Sequence, residues 1–107
     1  MNNIEITARL TRDPEIKYTA NGTVVANFSV AENIYNKKDQ KQEAQFHNVV
    51  AFGKTAELIG NTLSKGNKIH ISGSVRNKVY MKDDERKKYS EIALRTFEYC
   101  EKKTTTA

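Results

Sequence analysis

The chain has 107 residues, of which 29% are charged, and it carries a formal net charge of +5 at neutral pH. This length predicts a single domain with one modest core, and no apolar run approaches the roughly 20 residues that a membrane-spanning helix needs. The N-terminus lacks the features of a signal peptide, and the lone cysteine, Cys100, cannot form an internal disulfide. We therefore expect a cytoplasmic protein with no membrane association, whose positive charge favours a polyanionic partner.

The first third of the chain predicts strands separated by tight turns. Apolar and polar residues alternate over residues 4–10, which is typical of a strand with one buried face. Pro14 lacks an N–H and interrupts any ladder there, and residues 16–19 are short and strand-like. Asn21-Gly22 is a strong turn signal, because both residues tolerate positive φ, and residues 24–31 follow as the second long strand.

A polar hairpin arm is predicted for residues 32–45, and its lysines include Lys37 and Lys38. Tyr35 is the aromatic residue of this arm, and an exposed tyrosine among lysines is suited to stack on a partner. The alternative interpretation is a solvated hairpin tip with an incidental tyrosine.

The stretch Gln45–Lys54, QFHNVVAFGK, predicts a third strand with a distinctive face. Side chains alternate between faces at period two, so Phe46 and Phe52 share a face, and Lys54 follows directly. Flat rings beside a positive charge suit unstacked nucleic-acid bases and their phosphates. The alternative interpretation is that both phenylalanines belong to the core of an ordinary half-buried strand.

One helix and a long strand are predicted next. Apolar residues recur at helical spacing over residues 54–64, and Lys65-Gly66 marks the helix end. Residues 67–80 form a long strand that Gly73 allows to bend, as small barrels require. The polar face of this strand ends in cations interleaved with a ring, namely Arg76, Lys78 and Tyr80.

A charged turn over residues 81–88 and a last strand over residues 89–99 are predicted to complete the domain. Strict alternation in this last strand puts Ile92 and Leu94 on the face opposite Phe97.

Five long strands with one helix between the third and the fourth are the arrangement of an OB-fold, a small Greek-key β-barrel. We therefore predict the all-β class, with this barrel over residues 1–100 and a short disordered tail over residues 101–107. No internal repeat, linker or second domain is visible in the sequence.

The sequence contains no motif for catalysis or metal binding. Gly53-Lys54-Thr55 resembles the end of a phosphate-binding P-loop, but the glycine needed five residues earlier is replaced by Asn48. The two histidines, His47 and His70, lie far apart in the sequence, so packed or interfacial roles are favoured over metal ligation. We predict a protein that is not an enzyme, with no catalytic residues, no cofactor and no metal.

Several blocks of the sequence together closely resemble the bacterial-type single-stranded DNA-binding proteins, the SSB family. The matching residues are RLTRDPE from Arg9, then Tyr18, NGTVVANFSVA from Asn21, FHNVVAFGK from Phe46 and LSKG from Leu63. They occur in the order and spacing of the family, over about residues 1–100. The resemblance implies an OB-fold that binds single-stranded DNA with little sequence preference, in the nucleoid, during replication, recombination and repair.

Roles for individual residues also follow from this resemblance. The positions that stack on bases in the family match Tyr35, Phe46, Phe52 and Tyr80, and three of these are often tryptophan, a residue that this chain lacks. Positions along the path of the phosphates match or adjoin Lys54, Lys65, Arg76 and Lys78, whereas Lys37 and Lys38 lie in a variable arm and rank lower. His47 matches a position at a subunit contact, and family members usually assemble as homotetramers.

One departure from the family concerns the C-terminus. Full-length members usually continue into a long linker with an acidic tip that recruits partner enzymes, whereas this sequence ends in EKKTTTA, so tail-mediated recruitment of replication proteins is doubtful. The alternative function is that of an SSB-like primosomal accessory protein, usually a dimer, which acts mainly through protein partners. A cold-shock-like RNA-binding module is less well supported, because its two closely spaced aromatic runs are absent.

Overall fold

Six strands and one helix make up the computed structural model, which describes residues 1–100. The predicted disordered tail, residues 101–107, lies outside the described residues. The elements follow one another as β1 (Ile4–Leu10), β2 (Glu15–Tyr18), β3 (Val24–Asn36), β4 (Lys41–Phe52), α1 (Gly53–Thr62), β5 (Lys68–Lys82) and β6 (Glu85–Tyr99).

The sheet closes on itself because β1 pairs with both β5 and β3. The strand order is β1-β5-β6-β4-β3-β2, and the additional pairing of β1 with β3 joins the two ends of five strands. The short β2 lies outside this closure and pairs with β3 alone. This arrangement confirms the predicted OB-fold, a five-stranded barrel with one helix between its third and fourth strands.

The core consists of the inward-facing side chains of the barrel strands together with one face of the helix. In the first half of β3, every second residue is buried, as period-two alternation requires. Burying each large aliphatic or aromatic side chain contributes about 1.5–3 kcal/mol relative to exposing it. The largest fully buried side chains are Phe28, Val30, Val49, Ile59, Ile69 and Ile71.

Helix α1 packs its apolar face against the barrel and is shorter than the sequence predicted. It begins at Gly53, whose φ of +69° is tolerated because glycine has no Cβ. Ala56 and Ile59 are buried within it. The helix, predicted for about residues 54–64, ends at Thr62, because Leu63 adopts an extended conformation while its N–H still bonds to Ile59.

Two long hairpin arms extend the sheet beyond the barrel. In the first arm, β3 and β4 stay paired as far as Asn36 and Lys41. The predicted turn over residues 81–88 was wrong, since β5 and β6 remain paired up to Lys82 and Glu85. Only Asp83 and Asp84 form the turn, with φ of +52° and +64°, the conformation of a tight two-residue hairpin turn.

A β-bulge in β6 corrects one prediction about the faces. The pairing passes from Ser72 opposite Thr96 to Gly73 opposite Leu94, so Arg95 is an extra residue in β6. This extra residue reverses the alternation, and Phe97 therefore packs against the core with Ile92 and Leu94 rather than on the opposite face. The register shift lies at Gly73, where the sequence predicted a bend in β5, and the bend itself stays a prediction.

Helix α1 has only 10 residues, and no helix within residues 1–100 is long and apolar enough to cross a membrane.

Candidate nucleic-acid interface

Strand register brings the four predicted stacking residues onto one face of the sheet. Phe46 and Phe52 of β4 lie opposite Ala31 and Val25 of β3. Tyr35 is an even number of residues from these two β3 residues, so its side chain points to the same face. The face continues through the β4–β6 and β5–β6 pairings to the even-numbered residues of β5, which include Tyr80. We call this surface the ring face.

All four rings project into solvent rather than into the core. The exposed fractions are 56% for Tyr35, 66% for Phe46, 50% for Phe52 and 46% for Tyr80. The opposite face of the same strands holds buried residues such as Phe28 and Val49, so the core interpretation of the two phenylalanines was wrong. Exposed rings on several neighbouring strands are unusual for a protein surface and indicate a binding surface.

A fifth ring, Tyr89, belongs to the ring face and was missed by the sequence reasoning. It lies on β6 opposite Lys78, and its ring meets Tyr80 edge-on with centroids 5.6 Å apart. The sequence signal for it is the Asp83-Asp84 pair, because a two-residue turn at that point fixes the pairing of the whole arm.

Two of the predicted cations lie among these rings. Arg76 and Lys78 are exposed on the ring face of β5, opposite Glu91 and Tyr89 of β6. Lys78 Nζ is 2.8 Å from Glu91 Oε1. The hydrogen bond with Glu91, together with the charge of that carboxylate, raises the pKa of the Lys78 ammonium, so this residue remains cationic at neutral pH.

The other predicted lysines lie away from the sheet surface. Lys54 is exposed in the first turn of α1, two residues after Phe52. Lys65 lies on the α1–β5 connection, where its backbone N–H donates to Asp13 Oδ1 at 2.8 Å. Lys37 and Lys38 lie in the turn at the tip of the first arm, beyond the end of β3 at Asn36.

His47 lies on the other side of β4 from the ring face. It is opposite Val30, on the side of the strand that faces the core in the barrel. Its Nε2 is 3.1 Å from Glu32 Oε1, and both side chains are partly buried. This position keeps His47 away from the rings, whatever its role at a subunit contact.

A polar cleft on the ring face completes the surface. It has a volume of about 280 Å³ and is lined by Arg12, from the β1–β2 connection, together with Asn27, Asn48, Tyr89 and Glu91. Sequence reasoning did not identify it, since its residues come from four separate parts of the chain.

Metal ligation has no support in this part of the chain. Among residues 1–100, no group of three or more His, Cys, Asp or Glu side chains could hold a metal ion. The second histidine, His70, is instead within hydrogen-bond distance of Thr7, with Nδ1 2.9 Å from Oγ1.

Comparison with known proteins finds single-stranded DNA-binding proteins among the relatives of this chain. The single-stranded DNA-binding protein of Clostridium perfringens is 38% identical over 101 residues, which cover 92% of this chain and 65% of the relative. The single-stranded DNA-binding protein 3 of Clostridium acetobutylicum is 39% identical over 103 residues, covering 94% of this chain and 72% of the relative. The chain thus spans about two thirds of the length of these curated relatives.

Structural comparison gives the same result. The solved structure of a Plasmodium falciparum SSB in complex with ssDNA superposes with a TM-score of 0.87 at 26% identity, covering 94% of this chain and 96% of that chain. The model of the Single-strand binding protein family matches residues 1–99, and this family is defined by binding rather than catalysis, in agreement with the prediction of a protein that is not an enzyme. The chain belongs to the single-strand binding protein family.

Proposed function

We propose that this protein binds single-stranded DNA with little sequence preference and protects it during replication, recombination and repair. The observation that carries the proposal is the ring face, on which Tyr35, Phe46, Phe52 and Tyr80 are all exposed. Every base has a π-face, so such rings can stack on successive bases whatever the sequence. The names of the relatives, and the ssDNA in the complex of the Plasmodium protein, support the same function.

Cations around the rings supply the second part of the mechanism. Arg76 and Lys78 on the ring face, and Lys54 beside Phe52, are exposed and can attract the phosphate backbone. Each neutralised phosphate releases condensed counterions, so the affinity falls as the salt concentration rises. Lys65, Lys37 and Lys38 lie farther along the surface and would contact a longer strand.

The experiment is a titration of a labelled oligo-dT and a matched duplex, followed by fluorescence anisotropy at low and high salt. We expect tight, salt-sensitive binding to the single strand and little binding to the duplex, whose bases are already stacked on one another. Equal and weak binding to both would mean that net positive charge alone makes the contact, and would refute the proposal. An extrinsic label is needed because the chain has no tryptophan.

Two tyrosines of the chain provide a matched pair of variants. Tyr35→Ala removes a ring from the ring face, and stacking contributes about 1–3 kcal/mol per base, so the Kd should rise by about 5- to 150-fold. Tyr18→Ala removes a ring that is 72% exposed on β2, opposite the inward-facing Val24 and beside the helix. We expect no change for Tyr18→Ala. Equal effects of the two variants would contradict the stacking role of the ring face.

We further propose that the protein assembles into a homotetramer in the cytoplasm, associated with the nucleoid. Within residues 1–100, β3 pairs with β1 only at Arg9 and Leu10, so the β3-side edge of Ile4–Ala8 is available for another strand. Val79 and Met81 are also exposed, at 50% and 65%, on the side of the second arm away from the rings. The pair formed by His47 and Glu32 lies on the corresponding side of the first arm and would belong to a subunit contact.

A further inference from the structure

The cleft on the ring face exists because β4 and β6 separate soon after they meet. Their parallel ladder has only two pairs, Val49 with Ile92 and Val50 with Ala93. One residue before this ladder the strands diverge into the two arms, leaving Asn48 on one wall and Glu91 on the other. Both side chains belong to the ring face, because side chains two residues apart on a strand point to the same face. Asn48 is two residues from Phe46, and Glu91 is two residues from Tyr89. The cleft therefore lies on the ring face beside Tyr89.

One polar side chain of the cleft, Glu91, is held in place by the protein, and the other polar side chains are available to bind a ligand. The Glu91 side chain is only 12% exposed, and Lys78 approaches its Oε1 at 2.8 Å, which leaves lone pairs of the carboxylate for another donor. Within residues 1–100, the side chains of Asn27, Asn48 and Arg12 make no hydrogen bond or ion pair. Unused amide groups beside a fixed carboxylate are suited to contact the edge of a polar planar ligand.

The size of the cleft fits a single base. Its volume of about 280 Å³ is many times the ~10–15 Å³ of cavity space that one water molecule needs, so a planar group of several heavy atoms can enter it. A second cavity of about 240 Å³ also touches Asn48 and Glu91 and is bordered by Phe46. Phe46 borders this second cavity and Tyr89 borders the cleft, so a base in the cleft would have the ring of Tyr89 beside it and the carboxylate of Glu91 at its edge.

We propose that this cleft receives one base of the bound strand by its edge, and that Glu91 favours a base bearing an exocyclic amino group, such as cytosine, over thymine. This proposal rests on the proposed function and adds one site of edge recognition to binding that otherwise depends on stacking.

The selectivity follows from hydrogen-bond chemistry. A carboxylate only accepts, and the N4 amino group of cytosine donates, whereas thymine presents its O4 acceptor at the same place. Asn48 can donate its amide N–H to the ring acceptor that lies beside the amino group. Cytosine and thymine have rings of the same size, so stacking on the rings hardly separates them, and the difference comes from the edge.

The experiment measures the Kd of oligo-dC and oligo-dT of equal length for the full chain and three variants. Glu91→Gln replaces the pure acceptor with a group that can donate to thymine O4, and we expect the ratio of the dT Kd to the dC Kd to fall about five-fold. Asn48→Ala should raise both Kd values by about two-fold to three-fold and leave the ratio nearly unchanged, because an amide can donate to or accept from either base. The matched control is Glu85→Gln, which removes a carboxylate from the same face of β6 at the far end of the arm, and should leave the ratio unchanged.

The ratio separates edge recognition from simple electrostatics. Glu91→Gln also releases Lys78 for phosphate contact, which tightens binding to both oligonucleotides equally and cancels in the ratio. A ratio that stays constant in Glu91→Gln, or that changes as much in Glu85→Gln, would overturn the edge site while leaving single-strand binding intact. Failure of the unaltered chain to bind either oligonucleotide would instead refute the proposed function.

Discussion

Replacing Gly73 with alanine tests whether the β-bulge sets the geometry of the barrel and of the second arm. A Cβ atom at this position would lie 2.2 Å from the carbonyl oxygen of Ala93 and 3.2 Å from Cγ2 of Ile92. The first of these neighbours is backbone and cannot rotate away. Since Cβ atoms essentially never approach another heavy atom within 3.0 Å, β5 and β6 would have to separate by roughly 1 Å.

The expected cost follows from this clash. Overpacking in a closely packed region costs about 1–3 kcal/mol, and weakening one ladder hydrogen bond adds about 1 kcal/mol. We therefore expect Gly73→Ala to lower the free energy of unfolding by about 3 kcal/mol. For a chain of this size, that corresponds to a fall in Tm of roughly 12–24 °C.

Thermal denaturation followed by circular dichroism at one fixed protein concentration measures this effect. Ser74→Ala serves as the control, because it removes one oxygen from a partly exposed neighbour and should change stability by less than about 0.5 kcal/mol. Gly73 does not have a positive φ, so an alanine there that met no clash would stabilise the protein by about 0.4–1 kcal/mol. The gain would come from the lower conformational entropy of the unfolded chain. A Gly73→Ala variant at least as stable as the unaltered chain would refute the steric argument.

Two further predictions concern the phosphate contacts and the assembly. Arg76→Ala should reduce the slope of log K against log salt by about one, because one phosphate contact is lost. Lys88→Ala, which removes an exposed cation opposite Val79 on the side of the second arm away from the rings, should leave the slope unchanged. Equal slopes for all three proteins would remove Arg76 from the path of the strand. His47→Ala breaks the pair with Glu32. Light scattering should then give a mass below that of four 12.2 kDa chains. An unaltered tetramer mass would exclude His47 from the subunit contact.

Period-two alternation was sufficient to predict the fold and the side of the sheet on which most of the rings lie. Phe46 and Phe52 were placed on one face of their strand by alternation, whereas Tyr35 was placed only in a polar arm, without a face. Tyr80 was assigned to the correct polar face of β5 by the same alternation. What alternation could not decide was whether the two phenylalanines were buried, because both faces of β4 carry apolar residues.

The errors arose where one residue more or less changes the pattern. Arg95 is an extra residue that no sequence signal marks, and it moved Phe97 from the predicted outer face to the core. A charged turn of eight residues was predicted where two suffice, and this hid the pairing that places Tyr89 and Glu91 on the ring face. The cleft depends on the parallel β4–β6 contact, which joins distant parts of the chain and leaves no local pattern.

The pairing of β1 with β5 also has a consequence for how the protein folds. Ile4 pairs with Gly73, and Arg9 pairs with Lys68, so the barrel closes only when segments far apart in the chain have met. Closing such long loops costs entropy before any contact forms, which makes folding slow for a chain of this size. The two arms are local hairpins and can form first, each carrying its own pair of rings: Tyr35 with Phe46, and Tyr80 with Tyr89. A nascent chain would therefore possess both halves of the ring face before it possesses the barrel that aligns them.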